Sequence, residues 1–536
     1  MSRTPTPYRW LLPAWLWIFL LLMIAAMLWA ESGKDSTDPG LMNILILLLL
    51  ILTGIVASIW YLFCSRFTRR TRFLTFAGAL LGLAAFVGLF RFNGFSGSMV
   101  PRFALRSAEG PLGPEQAGEL RGSIDLTTTT LDDFPGYLGA DRSMTVSHVR
   151  LSRDWESQPP EEIWRQPIGA GWSAFAVVNA YAVTMELRGD AEMVTAYDLR
   201  TGEQQWAHSE PGGFDHPLGG AGPRSTPLID EGRVYALGAR GILLALEGAT
   251  GSVLWRKDLL HEFGVTPEQE FVNIAYGRSN SPLVVGDLLV IPAGGNPGRP
   301  PVSLVAYDKR TGEKVWEGGD RQISYSSPRL ATVAGVEQIL ILNEATASGH
   351  DPKTGRTLWE HPWPGDSSTE ATASQAMPVP PDGVFLSKGY GGGSALIQLL
   401  PGEDDRFQVR EVWHNRRVLR TKFTNVVLLD GFLYGLSQGI LECVDVRTGD
   451  RVWKAGRYGH GQMLLVDRTL LILTEDGELV HVEATPDRPN QVLGRFQALE
   501  GRTWNNFALY GAYAVLRNAR EAAVYRLPLQ VAGSGG

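Results

Sequence analysis

Apolar and polar positions follow two different patterns along this chain, one before about residue 92 and another after it. The first part contains three long apolar runs, at residues 10–30, 41–64 and 73–90. Each run is long enough to cross a hydrocarbon layer of about 30 Å as a helix. The pattern predicts a membrane anchor over residues 1–92, built from three transmembrane helices inserted in a lipid bilayer.

The distribution of positive charge predicts how this anchor is oriented. Arg3 and Arg9 precede the first run, the connection at 31–40 is acidic on balance, and the connection at 65–72 carries four arginines. Positively charged connections stay in the cytoplasm. A cleaved signal peptide is the alternative for the first run, but that run is long and two more follow it. We therefore expect a multi-pass protein of the cytoplasmic (inner) membrane of a bacterium, with its N-terminus inside and residues 93–536 in the periplasm or outside.

One short pattern recurs after residue 160. It first reads Ala196-Tyr-Asp-Leu-Arg-Thr-Gly-Glu-Gln-Gln-Trp206, and similar stretches end at Trp255, Trp316, Trp359 and Trp453. Each has an apolar run, a turn built on an acidic residue and Thr-Gly, and a second run that closes on Trp. An Asp side chain accepts bonds from amides two residues on, and Gly tolerates the positive φ of a chain reversal. The pattern predicts repeated β-hairpins.

Weaker copies of the pattern determine the number of repeats. Trp413 and Phe496 end degenerate hairpins, and Trp164 ends a strand that has no hairpin ahead of it. The eight closing aromatics are separated by 40 to 61 residues, which is typical of four-stranded propeller blades. The last blade lacks an outer strand, and the strand at Trp164 would complete it. We therefore predict an all-β, eight-bladed β-propeller over residues 161–528, with an extracytoplasmic linker at 93–160 and a disordered tail at 529–536.

The Ala-x-Asp-x-x-Thr-Gly-x-x-x-Trp hairpins resemble the PQQ-like β-propeller repeat family. That family includes quinoprotein alcohol and glucose dehydrogenases and the outer-membrane assembly lipoprotein BamB. The resemblance implies that each closing aromatic docks between neighbouring blades and has no part in cofactor binding. The eight residues to which it assigns this structural role are Trp164, Trp206, Trp255, Trp316, Trp359, Trp413, Trp453 and Phe496.

Composition and charge exclude several classes of function. The formal net charge of −7 gives no reason to expect a nucleic-acid partner. The two cysteines, Cys64 and Cys443, cannot form a disulfide framework. The nine histidines are never closer than eight residues apart, so the sequence contains no local zinc motif. We predict no metal site.

The candidate chemistry lies just after each closing aromatic, where the chain enters the next innermost strand. Eight such entries would converge on one channel mouth, and they are rich in polar, aromatic and cationic residues. Such a mouth would bind a small anionic or sugar-like ligand through charge-assisted bonds and stacking. Alternatively, the smaller residues only start strands and satisfy backbone groups. The candidate ligand-binding residues are Trp172, Arg224, Asn280, Tyr325, Lys422, Asn425, His460, Gln462, Trp504 and Asn505.

Two functions follow from these observations. The preferred prediction is a non-catalytic binding or assembly platform that needs no cofactor and takes a protein partner through the propeller loops or one propeller face. The alternative is a membrane-bound quinoprotein dehydrogenase that uses PQQ with calcium and passes electrons to membrane quinone. The resemblance implies that such an enzyme has a disulfide between adjacent cysteines and a calcium ion held by Glu and Asn. This chain has no adjacent cysteines.

Overall fold

A computed structural model describes residues 12–34, 38–65, 67–106, 123–296, 298–365 and 371–530 of the chain. The chain divides into two compact units, residues 1–109 and 110–536. The first unit contains long helices and one hairpin, and the second unit contains the propeller.

Three apolar helices form most of the first unit: α1 (Ala14–Gly33), α2 (Pro39–Ile59, continued by a π-helical turn at Trp60–Cys64) and α3 (Arg69–Leu89). All three are long and apolar enough to cross a membrane, with mean hydropathies of 2.0, 2.7 and 1.8. The prediction of three apolar helices is confirmed. Residues 10 and 11 of the first predicted run lie outside the described residues.

The starts of α2 and α3 differ from the predicted ones because capping residues, and not the first apolar residue, begin these two helices. The Asp38 side chain accepts a bond from Gly40 N (2.6 Å), which starts α2 at Pro39. The Thr68 hydroxyl accepts a bond from Thr71 N (3.2 Å), so α3 starts within the arginine-rich connection, at Arg69. The first turn of α3 is therefore cationic.

A hairpin of β1 (Phe90–Phe95) and β2 (Pro101–Leu105) follows α3 directly. The sequence pattern predicted the end of a helix and an irregular linker here. The turn of the hairpin reaches the start of α2, where Asn43 Nδ2 donates to the carbonyl oxygen of Ser98 (2.7 Å).

The second unit is an eight-bladed β-propeller, and this prediction is confirmed. Each blade is an antiparallel sheet of four strands in sequence order. The strands of blades 1 to 4 are β5 (Ala176–Val178), β6 (Tyr181–Arg188), β7 (Ala191–Asp198) and β8 (Gln204–Pro211); β11 (Leu228–Asp230), β12 (Arg233–Leu237), β13 (Ile242–Glu247) and β14 (Val253–Asp258); β15 (Leu283–Val285), β16 (Leu288–Gly294), β17 (Val302–Asp308) and β18 (Lys314–Gly318); β19 (Arg329–Val333), β20 (Val336–Leu342), β21 (Thr346–His350) and β22 (Thr357–Pro362).

The remaining blades follow the same plan. Their strands are β23 (Met377–Val379), β24 (Gly383–Lys388), β25 (Gly393–Pro401) and β26 (Phe407–Asn415); β27 (Val426–Leu429), β28 (Phe432–Ser437), β29 (Ile440–Asp445) and β30 (Arg451–Arg457); β31 (Gln462–Val466), β32 (Thr469–Leu473), β33 (Glu478–Glu483) and β34 (Val492–Gln497); β35 (Ala508–Tyr510), β36 (Tyr513–Arg517) and β37 (Glu521–Arg526), joined by β4 (Glu161–Pro167). The loops also carry β9 (Asp215–His216), β10 (Gly220–Ala221), α4 (Leu259–Glu262) and α5 (Pro267–Asn273).

Strand β4 closes the ring in the predicted way. It pairs antiparallel with β37, with Trp164 opposite Val524. Arg165 Nη1 donates to Glu521 of β37 (2.8 Å), which joins the two strands through side chains as well, and Arg165 Nη2 donates to Glu162 on its own strand (2.9 Å). The outer edge of blade 8 is therefore paired.

Most closing tryptophans reach the next blade. Trp164 Nε1, for example, donates to the carbonyl oxygen of Leu199 in blade 1 (2.7 Å). Trp359 differs, because its Nε1 donates to Gln338 Oε1 within its own blade (2.5 Å). The blade after Trp359 has Pro401-Gly402 and no Thr-Gly turn, so the usual acceptor is missing there. Phe496 has no donor and packs against Tyr525 (ring centroids 4.8 Å apart).

Residues 133–146 enter the central channel, and we call this segment the plug. It pairs with the free inner edges of blades 1 and 7. Phe134 bridges to Val177 of blade 1, and the short strand β3 (Thr145–Val146) runs parallel to β31 of blade 7. Phe134, Leu138 and Met144 are 2–3% exposed. The predicted linker therefore contributes core residues to the propeller in this part.

Arg142 anchors the plug on the opposite side of the channel. Its guanidinium donates to the carbonyl oxygens of Ser281 (3.2 Å), Pro282 and Pro328 (2.6 Å), which precede the inner strands of blades 3 and 4. The backbone pairs of the plug lie on the far halves of β5 and β31, away from the strand entries, whereas the Arg142 side chain reaches the entries of blades 3 and 4. One end of the channel is thus filled by the chain itself.

Parts of the predicted linker after the plug and the described start of the tail also pack on the propeller. Trp155 stacks on His481 of blade 7 (centroids 5.1 Å apart), and Leu151 bridges to Leu529. Residues 107–122 and 531–536 lie outside the described residues.

Candidate functional site

The channel end opposite the plug carries a continuous group of rings. The loops that enter blades 8, 1, 6 and 7 place Trp504 against Trp172 (centroids 5.0 Å apart) and against Phe423 (5.1 Å), and Phe423 against His460 (5.5 Å). We call these four residues the aromatic row. The structure thus brings together three residues predicted from the sequence, Trp172, His460 and Trp504.

Arg502 covers one end of the aromatic row. Its guanidinium carbon lies 4.4 Å from the centroid of Trp504 and 5.0 Å from that of Trp172. Cation–π contacts of this kind hold a guanidinium against the faces of aromatic rings. The row therefore combines flat apolar surface with a positive charge, which is the chemistry that binds anions and sugars.

Glu475 accepts hydrogen bonds from two residues of the aromatic row. Trp504 Nε1 donates to Oε1 of Glu475 (3.0 Å), and the backbone N–H of His460 donates to Oε2 (3.0 Å). Glu475 is 4% exposed and lies in the turn between β32 and β33. Because both of its oxygens accept hydrogen bonds from the row, this carboxylate positions the rings.

A second cation, Arg224, lies on the blade 2 side of the mouth. It donates to the carbonyl oxygens of Gly222 and Gly220 (2.7 Å for Gly220) and stacks over Phe214 (4.7 Å). Burial lowers its pKa to about 10, and the nearby Arg502 acts in the same direction. Tyr276, whose ring centroid is 5.7 Å from that of Tyr325, lies beside it. The mouth therefore has two arginines close enough to affect each other.

A buried carboxyl group lies behind Arg224. Burial raises the pKa of Glu192 to about 7, although the Ala239 amide and the charges of Arg224 and Arg240 oppose this shift. Ala239 N lies 3.1 Å from Oε2. Glu192 is 6% exposed, so it is a titratable group set into the wall of the mouth.

Four predicted amide side chains connect neighbouring strand entries. Asn505 Nδ2 donates to the carbonyl oxygens of Gly171 (3.1 Å) and Ser173 (2.8 Å), and Asn280 Nδ2 donates to those of Ser324 and Ser326. Their buried oxygens, Asn505 Oδ1 and Asn280 Oδ1, accept no hydrogen bond from the described part of the chain. These bonds join one blade to the next and fit the alternative in which such residues satisfy backbone groups.

The other two amides have similar contacts. Gln462 Nε2 donates to the carbonyl oxygens of Phe423 and Trp504 (3.0 Å each), and so supports the aromatic row from behind. Asn425 Nδ2 donates to Tyr137 Oη of the plug (3.1 Å), away from the row. Lys422 is 4% exposed and its ammonium lies over Tyr390 (5.1 Å), so the structure does not bring it to the aromatic row.

Sequence reasoning missed Arg502, Phe423, Glu475 and Glu192. Arg502 and Phe423 are close in sequence to the predicted residues Trp504 and Lys422. An aromatic or arginine residue at a strand entry is the signal that could have identified them. Glu475 and Glu192 come from other parts of their blades, and only the folded ring brings them to the mouth. Among the described residues, no group of three or more His, Cys, Asp or Glu side chains is placed to hold a metal ion.

The ring, its closing strand and its docked tryptophans define an eight-bladed propeller of the PQQ-like type. Residues 135–455, more than half of the chain, match the family model described as "Outer membrane protein assembly factor BamB". The chain belongs to this family. No curated protein sequence matches the chain at a significant level.

Solved structures with a similar fold include a BamB and two dehydrogenases. BamB from Moraxella catarrhalis is 15% identical, with 69% of this chain and 100% of that chain covered and a TM-score of 0.47. A europium-containing methanol dehydrogenase is 12% identical (73% and 91% covered, TM-score 0.50). The quinohemoprotein alcohol dehydrogenase ADHIIG from Pseudomonas putida HK5 is 11% identical (76% and 84% covered, TM-score 0.51). At these identities the likeness shows the fold alone. The apolar helices and the family are consistent with a membrane-anchored bacterial protein.

Proposed function

We propose that this protein is a non-catalytic binding or assembly platform, held at the outer side of a bacterial cytoplasmic membrane by α1–α3. An odd number of crossings puts the two ends of the anchor on opposite sides. The arginines at the start of α3 would then lie in the cytoplasm and the propeller in the periplasm. The family description, which names an assembly factor, supports the platform function.

The aromatic row is the observation that carries this proposal. Its rings contact each other, Arg502 covers them, and Glu475 accepts bonds from Trp504 and His460. A mouth built in this way presents a preformed surface of aromatic rings and a guanidinium. It would bind a small anionic or sugar-like ligand, or an acidic or sugar-bearing group on a protein partner.

A quinoprotein dehydrogenase is the alternative, and the described residues of the mouth do not fit its cofactor. Calcium takes six to eight oxygen ligands, several of them carboxylates. Glu475 is the carboxylate that contacts the aromatic row, and the row already uses both of its oxygens.

Cofactor addition separates the two functions. The full-length protein would be purified in detergent, mixed with PQQ and calcium, and assayed for cofactor absorbance and for dye reduction with alcohols and sugars. The platform function predicts no turnover. Turnover that is lost in the Trp504→Ala variant would overturn the proposal in favour of the dehydrogenase.

Photo-crosslinking in cells tests the platform directly. A photoreactive residue would replace Val272, which is 77% exposed on α5 beside the mouth, or Leu131, which is 77% exposed near the plug. A discrete crosslinked protein at Val272 supports a partner on the entry side. Absence of any product at both positions would contradict an assembly function.

The topology is tested with the natural Cys64, which is exposed at the end of the π-helical turn. An impermeant maleimide should label a Val452→Cys variant in intact cells and should reach Cys64 only after the inner membrane is permeabilised. Labelling of Cys64 in intact cells would reverse the proposed orientation.

A further inference from the structure

The hairpin that follows α3 has one apolar face. Residues directly opposite in an antiparallel pair share a face of the sheet. The pairs Phe90–Leu105 and Phe92–Phe103 are directly opposite and alternate with the pair between them. Phe90, Phe92, Phe103 and Leu105 therefore form one face. Phe92, Phe103 and Leu105 are 49–52% exposed, which is unusual for three large apolar side chains in one small hairpin.

The other face of the hairpin is cationic. Arg91 lies opposite Ala104 in the register, and Arg102 lies two residues before Ala104 along β2. Side chains two residues apart on a strand share a face. Arg91 and Arg102 thus lie on the face opposite to the phenylalanines, and the hairpin is amphipathic.

The apolar face continues the apolar surface of the helices. Phe86 of α3 contacts Phe90 (centroids 5.0 Å apart) and Phe103 (5.0 Å). Arg106 Nε donates to the carbonyl oxygen of Val87 (3.0 Å), which fixes the end of β2 to the last turn of α3. The turn of the hairpin contacts Asn43 at the start of α2. The hairpin is therefore fixed at the ends of two apolar helices.

We propose that this hairpin lies in the membrane–water interface and binds the phosphate groups of anionic phospholipids. The proposal rests on the proposed anchoring of α1–α3 in a membrane. The phenylalanine face would lie against acyl chains at the depth preferred by aromatic side chains. Arg91 and Arg102 would point toward the head groups, where a guanidinium binds phosphate through two parallel hydrogen bonds.

Spin-label accessibility tests the position of the hairpin. Nitroxides would be attached to Phe92→Cys and Phe103→Cys variants of the full-length Cys64→Ser protein in phosphatidylcholine–phosphatidylglycerol nanodiscs. Two reference labels would be Leu81→Cys in α3 and Val452→Cys on the rim of the propeller. We expect the hairpin labels to be reached by oxygen and protected from a water-soluble nickel chelate, as Leu81→Cys is.

The outcomes separate this proposal from the anchoring itself. Nickel access to Leu81→Cys would overturn both proposals. Protection of Leu81→Cys with nickel access at both hairpin positions, as at Val452→Cys, would overturn only the hairpin proposal. Protection of the hairpin labels with dipolar coupling between two copies of the chain would assign the apolar face to a dimer contact and would also overturn it.

The arginines are tested by lipid preference. Full-length protein would be reconstituted with equal parts of phosphatidylcholine and phosphatidylglycerol, extracted mildly, and the retained lipids counted by native mass spectrometry. The Arg91→Ser/Arg102→Ser variant should lose its preference for phosphatidylglycerol by roughly fivefold per arginine. The control variant Arg447→Ser/Arg468→Ser, with two exposed propeller arginines, should keep it. Equal retention by all three proteins would overturn phosphate binding by the hairpin.

Discussion

Trp206 lies flat against Gly251 of the following blade, so closely that a Cβ at Gly251 would stand 2.6 Å from Cε3 of the indole. The same indole donates from Nε1 to the carbonyl oxygen of Gly248 (2.9 Å). The glycine of the Thr-Gly turn therefore has two functions. It allows the chain reversal at φ +73°, and it provides the flat surface on which the tryptophan of the previous blade packs.

Substitution of this glycine is expected to destabilise the ring more than its φ angle explains. Gly251→Ala should lower the free energy of unfolding by about 2–4 kcal/mol, because it adds a steric clash to the cost of a left-handed alanine. Gly431→Ala is the matched control, since Gly431 has φ +84° and no neighbour within 4 Å of an added Cβ. Denaturant unfolding of the full-length variants measures the difference. Equal losses of unfolding free energy in Gly251→Ala and Gly431→Ala would mean that the clash with the indole adds nothing to the cost of the substitution.

Arg142 is expected to keep the plug in the channel. Arg142→Met leaves three buried carbonyl oxygens without their donor, so the plug should loosen by on the order of 3 kcal/mol. Hydrogen exchange at the Phe134 and Val177 amides should then accelerate. Arg150→Met is the control, because Arg150 follows the plug closely in sequence and is 71% exposed. Unchanged exchange in Arg142→Met would contradict an anchoring role.

His481 is expected to make the protein less stable in acid. Burial lowers its pKa from 6.5 to about 4, so the unfolded chain binds the proton more readily than the folded chain does. Its contribution is complete above pH 6.5 and is lost as the pH falls toward 4, with a total of about 3 kcal/mol. His481→Gln should flatten the fall in stability over this range. The change His261→Gln, on an exposed histidine, should leave the pH profile as it is in the unmodified chain.

Glu192 is expected to act in the opposite direction over a similar range. Because burial raises its pKa from 4.5 to about 7, its contribution is complete below pH 4.5 and is lost as the pH rises toward 7, by about 3 kcal/mol. In the unmodified chain, the rise of stability with pH that comes from His481 and the fall that comes from Glu192 partly cancel. Glu192→Gln keeps the acceptor for Ala239 N and should therefore uncover a steeper rise of stability with pH. A profile that becomes shallower would contradict this assignment.

Arg502 is expected to determine anion affinity at the mouth. Titration calorimetry with glucuronate, glucose and sulfate as probes would separate stacking from charge. Arg502→Gln should weaken glucuronate binding at least tenfold and leave weak binding of glucose unchanged. Arg488→Gln, on an exposed residue of the propeller, is the control. If none of the three probes binds the unmodified chain, the proposed ligand class is wrong.

Repetition explains why most of the fold could be predicted from sequence. The hairpin pattern recurs with the same turn residues, so eight blades and the closing strand at Trp164 followed from counting its copies. The plug could not be predicted in this way, because Phe134, Arg142 and Met144 form no repeat and find their partners on blades that are distant in sequence.

The candidate site was predictable only in part, for a similar reason. Strand entries pointed to Trp172, His460 and Trp504, since equivalent positions in a ring meet at its axis. Glu475 belongs to the turn between β32 and β33, the two middle strands of blade 7. No local pattern distinguishes it from other acidic turn residues. The partners of Asn505 and Asn280 are backbone carbonyls, which carry no sequence signal at all.

The plug and β4 have a consequence for how the protein is made. Both precede all the other propeller strands in sequence. The partner of Arg165 in blade 8 is Glu521, which follows it by 356 residues. During synthesis these segments leave the ribosome before the other propeller strands, but their pairing with blade 8 and blade 7 is completed last. Contacts of such long range form slowly. A nascent chain that stops before blade 8 would therefore expose the inner and outer edges of an open ring, which makes the unfinished propeller a natural substrate for chaperones and proteases.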